Sequence, residues 1–325
     1  MNSVPWRLTI DTNPDQCNLK CVMCDTHSIY NKSRIKRERM SPELLDKILH
    51  QAINVGVKEI IPSTMGEPLL YPYFDKFINA LIPSSTKLNL TTNGSFPKKG
   101  AETWARLLLP ITSDTKISIN GISPDINEKV MIQSNTHDVL KNINTYLKVR
   151  DQIRKETNNH QLTVTLQVTF MYSNLAGMTE VIKYAIEQGI DRVKGHHLWV
   201  THPELEKEDL RHPIHEGVWN DYLNEIAPYK TQIKLENFTR LSKDSYIPEQ
   251  YDCPFLGKEL WIDCSGNYNV CCAPSDKRQK LGDFGNVSNI SIENLFQTTN
   301  YKTLIETYKS HPLCQKCLLR KPHNE

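Results

Sequence analysis

No run of about 18 apolar residues occurs in this chain, so no segment reads as a membrane-spanning helix. The opening residues, MNSVPWRLTIDTNPDQC, lack an apolar core and a small-residue cleavage site, and so do not read as a signal peptide. Neither sign of charge is in excess: 39 Lys and Arg face 37 Asp and Glu, a net +2, which gives no reason to expect nucleic acid as a partner. Glycine and proline are modest, 13 and 18 in 325 residues, and no repeat or low-complexity stretch occurs. Collagen-like, disordered and coiled-coil chains are thereby excluded. The length suits about two domains, or one α/β barrel with an appendage. The expected location is cytoplasmic, where thiols stay reduced.

Strand-like and helix-like segments alternate through residues 1–200. Trp6 to Asp11, Val57 to Ile61, Lys87 to Thr92, Asp114 to Ile119, Leu162 to Met171 and Asp191 to Leu198 read as strands. Between them, a helix opening at Ser41-Pro42-Glu43 has an N-cap serine, a first-turn proline and an early acid. Further helices are expected at Tyr73 to Leu81, Ala101 to Leu109, Asp138 to Ile153 and Leu175 to Glu187. Short βα connections predict a parallel α/β sheet, and six units are too few for a closed eight-unit barrel. The expected fold is a partial (β/α)6 TIM-like barrel over 1–200, a connecting helix and strand region at 201–250, and a small cysteine-rich extension at 251–325. Chemistry in such arrays sits at the C-terminal strand ends.

The nine cysteines are segregated: Cys17, Cys21 and Cys24 at the front, Cys253, Cys264, Cys271, Cys272, Cys314 and Cys317 at the rear, and none between. Buried small hydrophobes have no reason to group in this way, and the odd count with no secretory signal argues against a disulfide framework. Clustered cytosolic cysteines read as metal or redox sites. Cys17-x3-Cys21-x2-Cys24 supplies three thiolates from one loop, which suits a [4Fe–4S] cluster with one iron left open. His27 is a possible fourth ligand, weighed against an ordinary surface histidine. His196 and His197 end the sixth strand at the substrate end, and alternation turns one of them inward.

CxxxCxxC on the loop after the first strand of a partial βα barrel resembles the radical S-adenosylmethionine (SAM) superfamily over roughly residues 6–200. Met65-Gly66-Glu67-Pro68 resembles the family's GGE-type motif, with Met65 replacing its first glycine. The resemblance implies that Gly66 and Glu67 hold the methionyl ammonium of SAM. Thr92-Asn93-Gly94 resembles the family's TNG; Ser118 and Asn120 match positions that touch the ribose or carboxylate of SAM, and Asn174 resembles another polar cosubstrate contact. Met23 stands where the family often has an aromatic residue. The family's chemistry is reductive cleavage of SAM to a 5′-deoxyadenosyl radical that takes a hydrogen atom from substrate.

The rear pattern is Cys253-Pro254, then a hairpin ending at Cys271-Cys272, then Gly285-Asn286-Val287 and Cys314-x2-Cys317. It resembles the SPASM and twitch extensions of that superfamily. With six rear cysteines, the resemblance implies one auxiliary [4Fe–4S] cluster on Cys253, Cys314, Cys317 and either Cys271 or Cys272, with Cys271 favoured by its place in the motif. A four-cysteine zinc ribbon is the rival at this site. Cys264 and Cys272 then remain for packing or as hydrogen-atom donors.

The leading expectation is oxidation, by dehydrogenation or cross-linking, of a small natural product or peptide, with the auxiliary cluster as electron acceptor. A redox-neutral epimerase with Cys272 or Cys264 as thiol donor is the alternative, and a non-catalytic Fe–S or zinc scaffold a third. The first barrel strand begins by residue 7, so no peptide-binding domain is expected before it. A flavodoxin- or ferredoxin-type electron donor, a monomer, and no membrane partner complete the expectations. The basic run Lys32 to Arg39 reads as a solvated face or a docking site for that donor.

Overall fold

The computed structural model describes residues 4–33, 35–63, 65–241, 249–317 and 319–322; Arg34 of the basic run and 242–248 of the connecting region lie outside them. Nine strands form one sheet: β1 (Arg7–Ile10), β2 (Glu59–Ile61), β3 (Lys87–Thr92), β4 (Thr112–Ser118), β5 (Thr163–Phe170), β6 (Arg192–His197), β7 (Lys234–Glu236), β8 (Glu259–Ile262) and β9 (Tyr268–Asn269). Their order is β7-β6-β5-β4-β3-β2-β1-β8-β9, parallel throughout except for the β8–β9 hairpin. The sheet is open, as six βα units predict.

The helices on its outer face are α1 (Pro42–Asn54), α2 (Asp75–Leu81), α3 (Gly100–Leu108), α4 (Pro124–Val130), α5 (Thr136–Thr157), α6 (Tyr172–Leu175) and α7 (Met178–Glu187). α8 (Val218–Glu225) and α9 (Ser275–Arg278) follow. Ser41 caps α1 by accepting from Leu44 N, with Pro42 in the first turn. α4 was not expected from the sequence, although Ser123-Pro124 is the same kind of start signal. No helix among the described residues is long and apolar enough to cross a membrane.

Strand alternation divides the molecule into two interiors. Leu8, Ile10, Ile60, Leu88, Leu90, Ile117, Val164, Leu166, Val168 and Val193 turn outward and pack under the helices. The opposite face carries charge. Arg7 bonds Glu59 at 2.6 Å and Glu259 at 2.7 Å. Arg192 bonds Asp114 at 2.6 Å and Glu236 at 2.9 Å, and Lys194 bonds Glu236 at 2.5 Å. Lys116 donates to Asn89, and Thr163 and Thr165 both donate to Asp114 at 2.9 Å. Four cations and four anions thus fill the lower half of the concave face with matched charge, which is how ionised groups survive burial.

Two edge strands extend the six-unit array. β7 comes from the connecting region and continues past β6, where a strand was expected. β8 pairs along the free edge of β1, Arg7 beside Glu259 and Ile10 beside Ile262. The cysteine-rich segment is therefore hydrogen-bonded into the sheet next to the strand that leads to the front cysteines.

Candidate functional site

The loop after β1 holds Cys17, Cys21 and Cys24, each partly buried. Several contacts fix it. Arg37 donates from its backbone N–H to Asp15 and closes a fork on the same carboxylate at 2.9 and 2.7 Å. Its other nitrogen contacts reach Thr26 at 3.2 Å and Met65 Sδ at 3.2 Å. One guanidinium thus ties together residues before and after the cysteines and the loop after β2. His27 Nε2 lies 2.8 Å from Pro14 O, so its use is to brace the loop.

Gly66 explains why the loop after β2 lies so close. Its φ is +79°, and a Cβ there would stand 2.3 Å from Asn13 O and 2.7 Å from Gln16 O, which no side chain tolerates. Asn13 Nδ2 donates to Glu67 O at 2.8 Å, and Glu67 N donates to Gln16 O at 2.8 Å. The two loops are knitted backbone to backbone.

The Glu67 carboxylate, expected to hold the methionyl ammonium, accepts hydrogen bonds from the chain itself. It is 1% exposed. One oxygen accepts from Thr92 Oγ1 at 2.8 Å and Leu69 N at 3.2 Å; the other accepts from Asn93 N at 2.8 Å. It caps the turn that follows it and clasps the loop after β3. Burial raises its pKa from the ordinary 4.5 to about 7, against the effect of those donors. Glu67→Gln is expected to lose the Asn93 bond, because an amide N–H would face a backbone N–H. The cost is about 1–3 kcal/mol of stability, with SAM affinity changed less than about threefold. Thermal melts and SAM titration on the same variant check this; an affinity loss of about tenfold at an unchanged melting point would restore the ammonium role.

Thr92 is spent on Glu67. The Asn93 side chain donates to Asn18 at 2.8 Å and stands 4.0 Å from Cys17 Sγ. Asn120 and Asn174 are 1% and 0% exposed and bond each other at 3.2 Å; Asn120 also accepts from Thr169 N, and Asn174 from Met171 N and donates to Thr169 O. They lock the ends of β4 and β5. Ser118 sits on the concave face, partly buried. Sequence reading could not separate these uses, since polar strand-end residues look alike whether they serve the chain or a cosubstrate.

A cavity of about 240 Å³ opens at these strand ends, lined among others by Met23, Cys24, Met65, Thr169, His196, Trp199, Thr201, Cys272 and Arg278. His196 and His197 part company here. His196 faces the cavity on the side of Lys194 and Arg192. Burial first, then Lys194 and Lys116, lower its pKa to about 4, so its imidazole is neutral at neutral pH. His197 is turned away from the cavity, as the alternation that admits only one of the two histidines predicts. The next position on a strand faces the other way, and its ring packs edge-on against Phe170 and Trp219, centroids 5.3 and 4.8 Å away, with neither nitrogen bonded.

Behind this cavity, a second one is lined by Cys253, Cys271, Cys272, Cys314 and Cys317 together with Trp199 and Tyr308. Cys264 is not among them; it packs against the main apolar core. Trp199, Cys272 and Ala273 line both cavities and form the partition between them.

Both thiol groups have the chemistry of cluster sites. Burial pushes Cys17 up to about 11 and also raises Cys21 and Cys24, and neighbouring thiolates add to the rise at Cys17 and Cys21. At the rear, burial lifts Cys314 to about 12 and raises Cys253 and Cys317, again with the neighbouring cysteines adding to it. Cys271 is the more acidic of the adjacent pair because Cys272 hydrogen-bonds it. Thiols crowded in this way ionise when iron binds them. Among the described residues no group of three or more His, Cys, Asp or Glu side chains converges as the ligands of a single ion do. Thiolates on separate corners of a four-iron cluster have no need to converge so closely.

Residues 14–157 match the radical SAM superfamily, and residues 253–318 match the SPASM iron–sulfur cluster-binding domain. The GTP 3′,8-cyclase of Aquifex aeolicus is 25% identical over 179 residues, covering 52% of this chain and 54% of that protein. The chain spans about half the length of that relative. The cysteine-type anaerobic sulfatase-maturating enzyme of Clostridium perfringens is 21% identical over 336 residues, 96% of this chain and 86% of that one. The structure of Streptococcus suis SuiB bound to S-adenosylmethionine superposes with a TM-score of 0.71 at 18% identity, covering 97% of this chain and 72% of SuiB, a likeness of fold. The two domains bring a SAM-binding [4Fe–4S] cluster, SAM and auxiliary iron–sulfur chemistry. With its front thiols on the β1 loop and its rear thiols one partition away, the chain belongs to the radical SAM superfamily of enzymes, in the form that carries a C-terminal SPASM domain.

Proposed function

We propose that the chain oxidises a small natural product or a peptide: a hydrogen atom is abstracted by the 5′-deoxyadenosyl radical, and the substrate radical then loses an electron to the rear site and a proton to a base. The observation that carries this reading is the shared partition: Trp199, Cys272 and Ala273 touch both cavities, so a substrate in the front cavity lies one side-chain layer from the rear thiols. Cys17, Cys21 and Cys24 would hold the SAM-binding cluster, and Cys253, Cys271, Cys314 and Cys317 one auxiliary cluster. Bound there, these groups supply a 5′-deoxyadenosyl radical in front and an electron acceptor behind. The remaining work belongs to the chain. His196 and Thr169 hydrogen-bond the substrate on the concave wall, Met23 and Met65 pack beside the cosubstrate, and the partition keeps water from the radical.

Peptides are supported as one substrate form by the structure of SuiB bound to its precursor peptide SuiA and by the sulfatase-maturating relatives. A flavodoxin- or ferredoxin-type donor fits the exposed Ile35, Lys36 and Arg39 next to the front loop; Lys32 pairs with Glu204 at 3.3 Å.

A second reading, epimerisation, is favoured by one observation: Cys272 is among the residues lining the front cavity, where a thiol can return a hydrogen atom. Cys264, in the core, has no such access. Anaerobic turnover in deuterated water separates the two, using the compound or peptide that raises 5′-deoxyadenosine release above its substrate-free rate. Oxidation predicts net loss of two hydrogens, and product still formed by Cys272→Ala. Deuterium at an inverted carbon, lost in Cys272→Ala while SAM is still consumed, would replace oxidation with epimerisation.

A further inference from the structure

Two polar groups on residues lining the front cavity have no partner among the described residues. Arg278, at the end of α9, is 5% exposed and donates from Nη2 to Asp11 Oδ2 at 2.9 Å, yet its buried Nε–H bonds nothing. Thr201 lies on the same cavity, and its buried Oγ1 is equally unbonded. A buried donor without an acceptor costs free energy that a folded chain does not normally leave unrecovered. Both residues line the same cavity, which is where an oxygen acceptor for them would have to enter.

The charge balance says what kind of oxygen. Asp11 is 1% exposed and already neutralises Arg278. A carboxylate or phosphate added to this pair would bring an uncompensated negative charge into a buried site. A neutral acceptor would add none.

We infer that Arg278 and Thr201 form a substrate-recognition subsite for an uncharged oxygen, a hydroxyl or an amide carbonyl, placed across the cavity from the β5 and β6 strand ends. The inference rests on the proposed reading that the front cavity receives substrate. It makes Arg278 and Thr201 specificity residues rather than parts of the radical chemistry, and it disfavours substrates presenting an anion at this point.

The test uses SAM-loaded holoenzyme and three probes: N-acetylglycine methylamide, myo-inositol and acetate, with binding followed by saturation-transfer NMR. Arg278→Lys keeps the ion pair with Asp11 but removes the Nε–H; Thr201→Val removes the hydroxyl at constant shape. Iron content reports that each variant is assembled. At least one neutral probe is expected to bind wild type more tightly than acetate does, and to bind both variants about five- to tenfold more weakly. Preference for the methylamide identifies a peptide, and preference for inositol a polyol. Equal binding to wild type and variants, no neutral probe bound by wild type, or acetate bound most tightly would each overturn the subsite, and so would loss of iron in both variants. Wild-type SAM cleavage with unaltered probe binding sinks this inference alone, whereas absence of SAM cleavage sinks the reading beneath it.

Discussion

Replacing Cys17, Cys21 and Cys24 together by alanine is expected to leave about four of about eight irons on anaerobically reconstituted protein and to abolish SAM cleavage. The front thiols sit on the loop after β1 and the rear ligands line a second cavity, so removal of one set leaves the ligands of the other in place. Iron and sulfide analysis, with 5′-deoxyadenosine quantified after reduction, reads both effects. Loss of all iron in this variant would show that the rear cysteines hold no cluster of their own. Zinc in place of the residual iron would turn the rear site into a structural zinc site. Residual SAM cleavage would remove the front loop from the chemistry altogether.

The second large effect is expected far from the cysteines, at Asp114. This carboxylate is 4% exposed and takes hydrogen bonds from Thr163, Thr165 and Arg192. Asp114→Ala leaves Lys116 without the carboxylate that most favours its charge and Arg192 with Glu236 alone, which should lower stability by about 3–5 kcal/mol. Thermal melts at a fixed scan rate and matched cluster content measure it, and a loss under about 1 kcal/mol would mean that the charges on the concave face are not coupled. Lys116 adds a pH signature. Burial lowers it from its ordinary 10.5 to about 8, so between those values the unfolded chain binds more protons than the native one. Stability referred to a Lys116→Met control should therefore rise as pH climbs through that window.

Much of this architecture is legible in the amino-acid order because parallel βα units are locally encoded. Alternating apolar residues give β1 to β6, Ser41-Pro42 starts α1, and the glycine-bearing turns fall at the strand ends where chemistry belongs. The opposite facing of His196 and His197 also follows from strand period alone. The pairing of β8 with β1 does not, since residues 259–262 carry no local mark of a partner some 250 positions earlier. Glu67, Asn120 and Asn174 illustrate a second limit. Each lies near a strand end, yet each spends hydrogen bonds on protein atoms, which the sequence does not show. The Asp11–Arg278 pair was hidden for the same reason, as its members come from opposite ends of the chain.

That long-range pairing also orders events in time. While the nascent chain leaves the ribosome, β1 can pair with β2 almost at once, but its other edge stays bare until β8 is made. At about 5–20 residues per second this takes from roughly ten seconds to nearly a minute. Throughout that interval an unpaired strand edge is open to partners from other chains. Asp11 N has yet to find Ile262 O, and the carboxylate beside it has yet to meet Arg278. Iron delivered before release would meet a cysteine loop whose supporting strand is only half held. Maturation is thus expected to favour loading the front cluster after the C-terminal segment has docked, and a chain truncated before residue 251 should be recovered as aggregate rather than as a working half.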